Sequence, residues 1–512
     1  MIQPILALSP NQVITGWDFS TGSVKCLAFD LSGNVIAESR FPTDIWTQNG
    51  VAELNLLQLE GQARATTRDI AYQLKELNRL KDWISGGISA THHTAGRIDA
   101  RHNPIRRAVC WNDQTLATYH AEGLTRLGGQ TNVADLIGGP WAIRYSLSHL
   151  VKDEKTLSAL DWQRTKYILP HGPLAAGYLT NQFGVISVSS AASTGMMDLR
   201  TNQWCRGMLN ALANQQHRDL VWTQLPKIIP YHQQIGVLSE SLAIEAHLDA
   251  NHRPVIYPTL DDQAAGLAGG GAVDAGQLAI ILGNSAVVNS SSDSPPNGDN
   301  LDAMKLNWGP YLWMRCYSNG AQFLDKILGE NPKWDELEYA ANQITPTCNG
   351  TGILPFVLSE PSLNIHQSKM EWYPNEPQDM GIRYRASLEA LAYLIALGVK
   401  AHIQAGQKIS QITVSGGIAR SQLMCQILAD VLQFPLHRLV SNEGTALGAA
   451  VMALAGCETN GRKKMGLNEE FSVADSVKHL VRFKDIISPN PNNREIYLKG
   501  MNTFIQIAGI QK

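Results

Sequence analysis

The chain has no concentrated charge of either sign. Lys and Arg number 42 against 45 Asp and Glu, a formal charge of −3, and no dense basic block occurs along the 512 residues. Binding to a phosphate backbone relies on clustered cations, so a nucleic-acid partner is not expected. The seven cysteines, at 26, 110, 205, 316, 348, 425 and 457, include no C-x-x-C pair. A disulfide framework or zinc site is thereby disfavoured, and buried free thiols are expected. No Lys or Arg precedes Lys25, so the charged start of a signal peptide is missing. The longest apolar run, Ala390 to Val399, stops at Lys400 and is too short to cross a bilayer. A cytoplasmic protein without a membrane partner is the expectation, and a homodimer stays open. Neither G-x-x-x-x-G-K-[ST] nor G-x-G-x-x-G occurs, which disfavours a P-loop NTPase and a standard Rossmann dehydrogenase.

Glycine, in contrast, is plentiful. Its 43 copies cluster at Gly86-Gly87, Gly138-Gly139, Gly269 to Gly271 and Gly416-Gly417, several of them after apolar β-rich runs. Such turns let backbone approach a ligand or another backbone closely. The first segment reads as a strand through Val13-Ile14, a polar turn from Asp18 to Ser23, a strand through Val24 to Phe29, a turn at Ser32-Gly33-Asn34 and a strand through Val35 to Ala37. A related unit recurs later, with Leu278 to Leu282, the turn Gly283-Asn284-Ser285 and Ala286 to Val288. Two such units suggest a duplicated architecture. With roughly 100 to 200 residues per domain, the chain divides into 1–272 and 273–512. Short helix Ala264 to Gly271 precedes the boundary, while Arg385 to Ile403 and Ser421 to Gln433 read as helices of the second half.

Phosphate chemistry calls for backbone N–H groups, small hydroxyls and a carboxylate for magnesium. The turn from Asp18 to Lys25 offers all three, although the same residues also make ordinary hairpins. Val414-Ser415-Gly416-Gly417-Ile418-Ala419-Arg420-Ser421 ends a strand in a Cβ-free platform on which a base could lie, and the helix begun by Ser421 would aim its N-terminus toward phosphates. Glu443 to Ala450 opens a helix of small residues, which also suits tight packing.

Taken together, these segments resemble the FGGY carbohydrate kinases over nearly the whole chain, and most nearly their xylulokinase branch. Asp18-Phe19-Ser20-Thr21-Gly22-Ser23-Val24-Lys25 is similar to the first phosphate hairpin. Gly87 to Asp99 with Trp111-Asn112-Asp113 is similar to the sugar-side signature, and Asp262-Gln263-Ala264-Ala265-Gly266 to the catalytic Asp-amide segment. Gly283-Asn284-Ser285 falls at the second phosphate turn, and Gly416 to Ser421 with Ala446 to Ala450 at the adenosine site. The resemblance implies an α/β fold of two ribonuclease-H-like, actin-like domains that close around ATP.

It also implies site roles. Asp262 would be the general base, a carboxylate ionised at neutral pH, with Asp261 standing where the family usually has glycine. Asp18 would hold Mg2+. Thr21, Gly22 and Ser23 would meet the phosphates, with Gly283, Asn284 and Ser285 opposite them, and Gly416 and Gly417 would line adenosine. His92, His93, Asp262 and Gln263 would bind a ketopentose or related polyol. Lys25 reads as a strand-end charge and Asp113 as a loop brace. Read without the resemblance, Asp262 would be a helix N-cap. The chain departs from the family pattern at Asn284 and Ala286, at Thr91-His92 before the sugar histidine, at Ile418, and at Leu358-Ser359-Glu360-Pro361, which lacks an arginine. A weakened sugar- or nucleotide-binding protein and a sugar-independent actin-like ATPase are the alternatives.

Overall fold

A computed structural model describes residues 5–298, 300–329 and 331–510. Its core is built from two seven-stranded sheets. In the first, strands β1 (Val13–Phe19), β2 (Ser23–Asp30) and β3 (Val35–Pro42) form an antiparallel meander, and β4 (Trp83–Ala90) and β5 (Val255–Ile256) continue from β1 in parallel. Short strand β6 (Leu260–Asp261) pairs with the end of β4 and runs into helix α1 (Asp262–Gly269). In the second sheet, β7 (Gln277–Leu282), β8 (Ala286–Ser292) and β9 (Tyr311–Tyr317) form the meander. Helix α2 (Met380–Gln404) leads to β10 (Gln411–Ser415), helix α3 (Gln422–Leu432) and β11 (Leu436–Leu439), and β10 and β11 extend that sheet in parallel. The same order, three antiparallel strands followed by parallel ones, appears twice. This is the two-domain, actin-like α/β fold that the family resemblance implies, and it accounts for the duplicated hairpin.

Central strands flanked on both faces must be apolar throughout. Strand β1 is buried at every position and apolar but for Thr15 and Asp18, and it carries a glycine, Gly16, where a side chain would have no room. The reason is helix α4 (Gly444–Lys464). A Cβ at Gly16 would overlap the Ala446 carbonyl, one at Gly87 the Ala449 carbonyl, one at Gly448 the Ala265 carbonyl, and one at Gly269 the Gly444 carbonyl. The small residues that open α4 thus let a helix from the second half lie directly on the first sheet and on α1.

Three boundaries differ from the sequence reading. The first turn is shorter, Ser20 to Gly22, because Asp18 and Phe19 are paired on both sides, with Lys25 and Val24 on β2 and with Ser89 and Ala90 on β4. Helix α1 starts at Asp262 rather than Ala264, because Asp261 caps it. Helix α2 is longer than its apolar run, starting from an Asp379 cap. By length and composition it could cross a membrane, but 72% of its most apolar window is buried inside the protein, where it serves as a core helix.

Replacement of Gly16 or Gly87 by alanine would force α4 off the sheet and should cost about 3 kcal/mol or more. Gly61→Ala, in helix Leu56–Glu76 with open space around it, should instead stabilise by about 0.5–1 kcal/mol. Urea midpoints at unchanged slope would check both, and a neutral Gly16→Ala would show that the helix is not seated on the strand.

Candidate active site

Parallel strands of an open α/β sheet present their carboxyl ends to ligands, and in the first sheet three adjacent ends converge. Asp18 lies near the end of β1. Ser89 faces it in register on β4, and its hydroxyl donates to Asp18 Oδ1 at 3.1 Å. Chain pairing continues past β4, with Thr91 N donating to Phe19 O at 3.0 Å, so His92 emerges beside the end of β1. The third end is β6, which delivers Asp261 and Asp262. His92 N donates to Asp262 Oδ1 at 3.3 Å, and the His92 ring nitrogen Nδ1 lies 3.9 Å from the same oxygen. One ligand atom from each of His92, Asp261 and Asp262 falls within a 4.8 Å group.

The two adjacent aspartates have distinct tasks. Asp261 Oδ1 accepts from the Gln263 and Ala264 amides at 3.1 and 2.9 Å, and its Oδ2 accepts from Ser189 Oγ. It is therefore the N-cap of α1, the role that Asp262 would have filled if it were structural. Asp262 keeps 23% of its side chain exposed. Burial, then the charges of Asp261 and Asp18, push its carboxyl from an ordinary 3.8 up to about 8. The residual exposure lets water moderate that shift without changing its sign. This corrects the expectation of a carboxylate already ionised at neutral pH: without a cation nearby, Asp262 holds its proton. Asp18 is also raised, by burial, although Lys25 at 3.7 Å and hydroxyls oppose the rise.

Burial and the nearby Arg144 guanidinium hold the His92 imidazole well below its usual range, so it is neutral. His93 lies behind it. The His93 ring is fully buried, stacked between His92 at 3.8 Å and Tyr145 at 4.3 Å, and its Nδ1 meets Ser193 O at 2.7 Å. Of the expected histidine pair, only His92 reaches Asp262. Gln263 points across to the second sheet, where its Oε1 accepts from Asn289 Nδ2 on β8 at 2.9 Å. In the first hairpin, Gly22 is open and exposed. The Ser23 amide is already bonded to Ser20 Oγ at 3.1 Å, leaving Ser23 its hydroxyl and Thr21 its side chain.

Gly283, Asn284 and Ser285 form the β7–β8 turn. Gly283 N donates to Ser285 O at 3.0 Å, and Gly283 O accepts from Ala321 N at 2.8 Å. Gly416, at the end of β10, has φ of +97°, and a Cβ there would overlap Leu282 O. Only glycine lets this turn lie against the Gly283 turn. Gly417 is exposed with nothing within 4 Å, an open platform. The N-terminus of α3, however, does not face phosphates as expected. Glu338 covers it, accepting from Leu423 N at 2.8 Å and Ser421 Oγ at 2.7 Å.

Sequence reasoning missed four neighbours of this site. Ser89 supports Asp18. Glu443 accepts from Lys25 Nζ at 2.7 Å and Arg40 at 2.7 Å, which also explains Lys25 as a tied charge. Arg144 pairs with Asp302 of the second sheet, and Tyr145 backs His93. Glu443 stood beside a recognised motif, but Arg144 and Tyr145 lie in a segment with no local signal. Asp113 is held by Lys152 at 2.7 Å and by the Thr115 amide at 2.9 Å, bracing its loop.

The raised Asp262 carboxyl has a consequence for stability. Between its unfolded value near 3.8 and its folded value of about 8, the native state holds a proton that the unfolded chain has lost, so rising pH disfavours folding across that window. Asp262→Asn removes this cost. Its melting temperature should gain on that of the wild type as pH rises from about 4 to 8 and level off above, in the absence of ligands. A gap that does not widen would mean that Asp262 ionises freely.

Residues 13–269 match the family model for the N-terminal domain of the FGGY family of carbohydrate kinases, and residues 368–457 match that for its C-terminal domain. The xylulose kinase of Haemophilus influenzae is 27% identical over 385 residues, 72% of this chain and 74% of that protein. That of Staphylococcus epidermidis is 23% identical over 501 residues, 95% of this chain and 94% of its own. Among solved structures, a xylulose kinase from Brucella ovis shares the fold with a TM-score of 0.81 at 19% identity, covering 97% of this chain and 98% of that one. With just over half of its residues in the N-terminal match alone and the C-terminal match following in order, the chain belongs to the FGGY family of carbohydrate kinases.

Proposed function

We propose that this carbohydrate kinase transfers the γ-phosphoryl group of ATP to a hydroxyl of a ketopentose resembling xylulose, with Asp262 as the general base. The supporting observation is the meeting of Asp262 with His92 and Asp18 at three strand ends. Phosphoryl transfer asks the protein chiefly for positioning and charge neutralisation. Asp262 would take the hydroxyl proton, and Asp261 holds it in place by fixing the start of α1. Neutral His92 can donate to or accept from a sugar hydroxyl without adding charge. The free N–H2 of Gln263 is available to a second hydroxyl, its oxygen being committed to Asn289. Thr21, Gly22 and Ser23 would meet phosphates from one side, Gly283, Asn284 and Ser285 from the other, and Gly416-Gly417 would carry the adenosine. The lobes, divided near residue 273, would close to bring these turns together.

Magnesium fits Asp18. This buried carboxylate, raised by desolvation, has the Ser89 and Thr445 hydroxyls and a 3.7 Å lysine to compensate it. When bound, the ion supplies positive charge at the phosphate oxygens. That charge also favours the ionised form of Asp262, so donor binding would ready the base.

The second phosphate turn supports a second reading, a weakened enzyme. Its Gly283 amide is spent on Ser285 O, and Ala286 follows where the family pattern has a second glycine. Calorimetric binding of sugar and nucleotide without ADP release would favour that reading.

Incubation with Mg-ATP and a panel of ketoses and polyols should give sugar-dependent ADP release, with Asp262→Asn slower by about 10²–10⁴-fold. Activity should rise with pH along an acid limb, since the deprotonated form is the working one. The limb should move to lower pH as Mg-ATP goes from scarce to saturating. Full activity in Asp262→Asn would reassign the base, and release independent of sugar would point to an ATPase.

A further inference from the structure

The second lobe contains a cavity of about 230 Å³ between α2 and the C-terminal helix Arg494–Ala508, closed from below by the loop through Thr347 to Gly352. No residue of the cleft lines it. Glu389, on α2, is 3% exposed. Three donors converge on its Oε1: Thr347 N at 2.9 Å, Arg385 Nε at 3.0 Å and the Tyr497 hydroxyl at 3.2 Å. A carboxylate has acceptor sites on both oxygens, and Oε2 takes no hydrogen bond from the described residues. Beside it the Tyr393 hydroxyl is buried without a partner among the described residues, resting on Gly500, where a Cβ would collide with it.

The floor is held in an unusual shape. Thr347, Cys348, Asn349 and Gly350 have φ of +64°, +47°, +52° and +91°. Three consecutive non-glycine residues in the left-handed region are disfavoured and persist only where the surroundings hold them. Here Glu389 does so through the Thr347 amide. A fully satisfied structural carboxylate would explain the Oε1 contacts, but it explains neither the free Oε2 nor the open volume beside it.

The lining selects a chemistry. Ile496, Tyr373 and Tyr393 contribute apolar lining, the Oε2 acceptor calls for a donor, and exposed Thr503 and Lys499 complete the lining. An anion would meet Glu389 at the bottom, and an amine would meet Lys499 at the mouth. A neutral molecule with several hydroxyls avoids both conflicts, donating to Glu389 while its C–H faces lie on the aromatic rings. We propose that this cavity is a second binding site for a small neutral sugar or polyol, separate from the cleft and independent of the chemistry there.

Hydrogen exchange on the full chain locates binding. With xylitol, ribitol and glycerol as probes, the amides of residues 346–352 should gain protection. Thr503→Trp, which fills the mouth without touching Glu389, should lose that protection while keeping protection in the cleft and sugar kinase turnover. Glu389→Gln, which turns the acceptor into a donor, should weaken the protecting polyol tenfold or more. If that variant does not fold, Thr503→Trp still decides. Ethanolamine and inorganic phosphate are the contrasting probes. The proposal fails if no polyol protects 346–352 at concentrations well above cleft saturation, if protection persists in Thr503→Trp, or if only ethanolamine or phosphate protects.

Discussion

Helix α4 rests on bare backbone. Four glycines, two in strands of the first sheet, one in α1 and one in α4 itself, remove the side chains that would hold a helix of the second half away from the first lobe. Ordinary helix packing separates axes by 8–10 Å because side chains intervene; here carbonyl oxygens occupy the space where Cβ atoms would be. The two halves are therefore interlocked at the base of the cleft rather than merely linked. Farther out, polar contacts also join the halves, Gln263 to Asn289, Arg144 to Asp302, and Asn307 to Ser189 and Thr259, beside an apolar contact of Val188 and Leu199 with residues 301–306. Polar contacts exchange with water at little net cost, whereas separating α4 from the sheet would expose apolar surface.

That packing also controls the electrostatics. Seating α4 brings Glu443 and Thr445 up to the first hairpin, where Glu443 ties Lys25 and Arg40. Lys25 is then shared between Glu443 at 2.7 Å and Asp18 at 3.7 Å, and it leans toward the former. Of the three aspartates at the site, Asp261 is satisfied by two amides and a hydroxyl, Asp18 by two hydroxyls and a shared cation, and Asp262 by one long amide contact. Burial raises all three carboxyls. The least supported of them is the one exposed to the cleft.

Much of this was legible in the sequence because it depended on local order. The duplicated meander followed from two strand–turn–strand units, and the fold class from the resemblance carried by five motifs in order. The two hairpin turns and the Asp262 segment stood out because glycines, hydroxyls and carboxylates fall at the ends of apolar strands, but the family resemblance was needed to read them as a site. What stayed hidden depended on register and distance. That His92 rather than His93 reaches Asp262 is set by a chain reversal at His93, whose φ of +61° no pattern announces. The division of labour between Asp261 and Asp262 follows from which of them precedes the first helical residue, and helix boundaries are uncertain by one or two residues. Arg144 and Tyr145 arrive from a helical insertion with no sequence link to the site. The cover on α3 comes from Glu338, more than 80 residues upstream.

The departures from the family pattern are not all alike once placed in space. Asp261 in place of glycine is compensated, since it caps α1 and takes a hydrogen bond from Ser189. The phosphate turns are different. The Ser23 and Gly283 amides are both engaged inside their own turns, so neither is free to meet an anion without local rearrangement. Backbone N–H groups and a cation are alternative ways of holding phosphate charge. With those two donors occupied, more of the burden would fall on an ion at Asp18, on the hydroxyls of Thr21, Ser23 and Ser285, and on the side-chain amide of Asn284. Under the proposed function that ion would also favour the ionised form of Asp262. Nucleotide binding and readiness of the base would then be coupled through one charge, and weaker amide cradles would make the chain more dependent on that coupling rather than less.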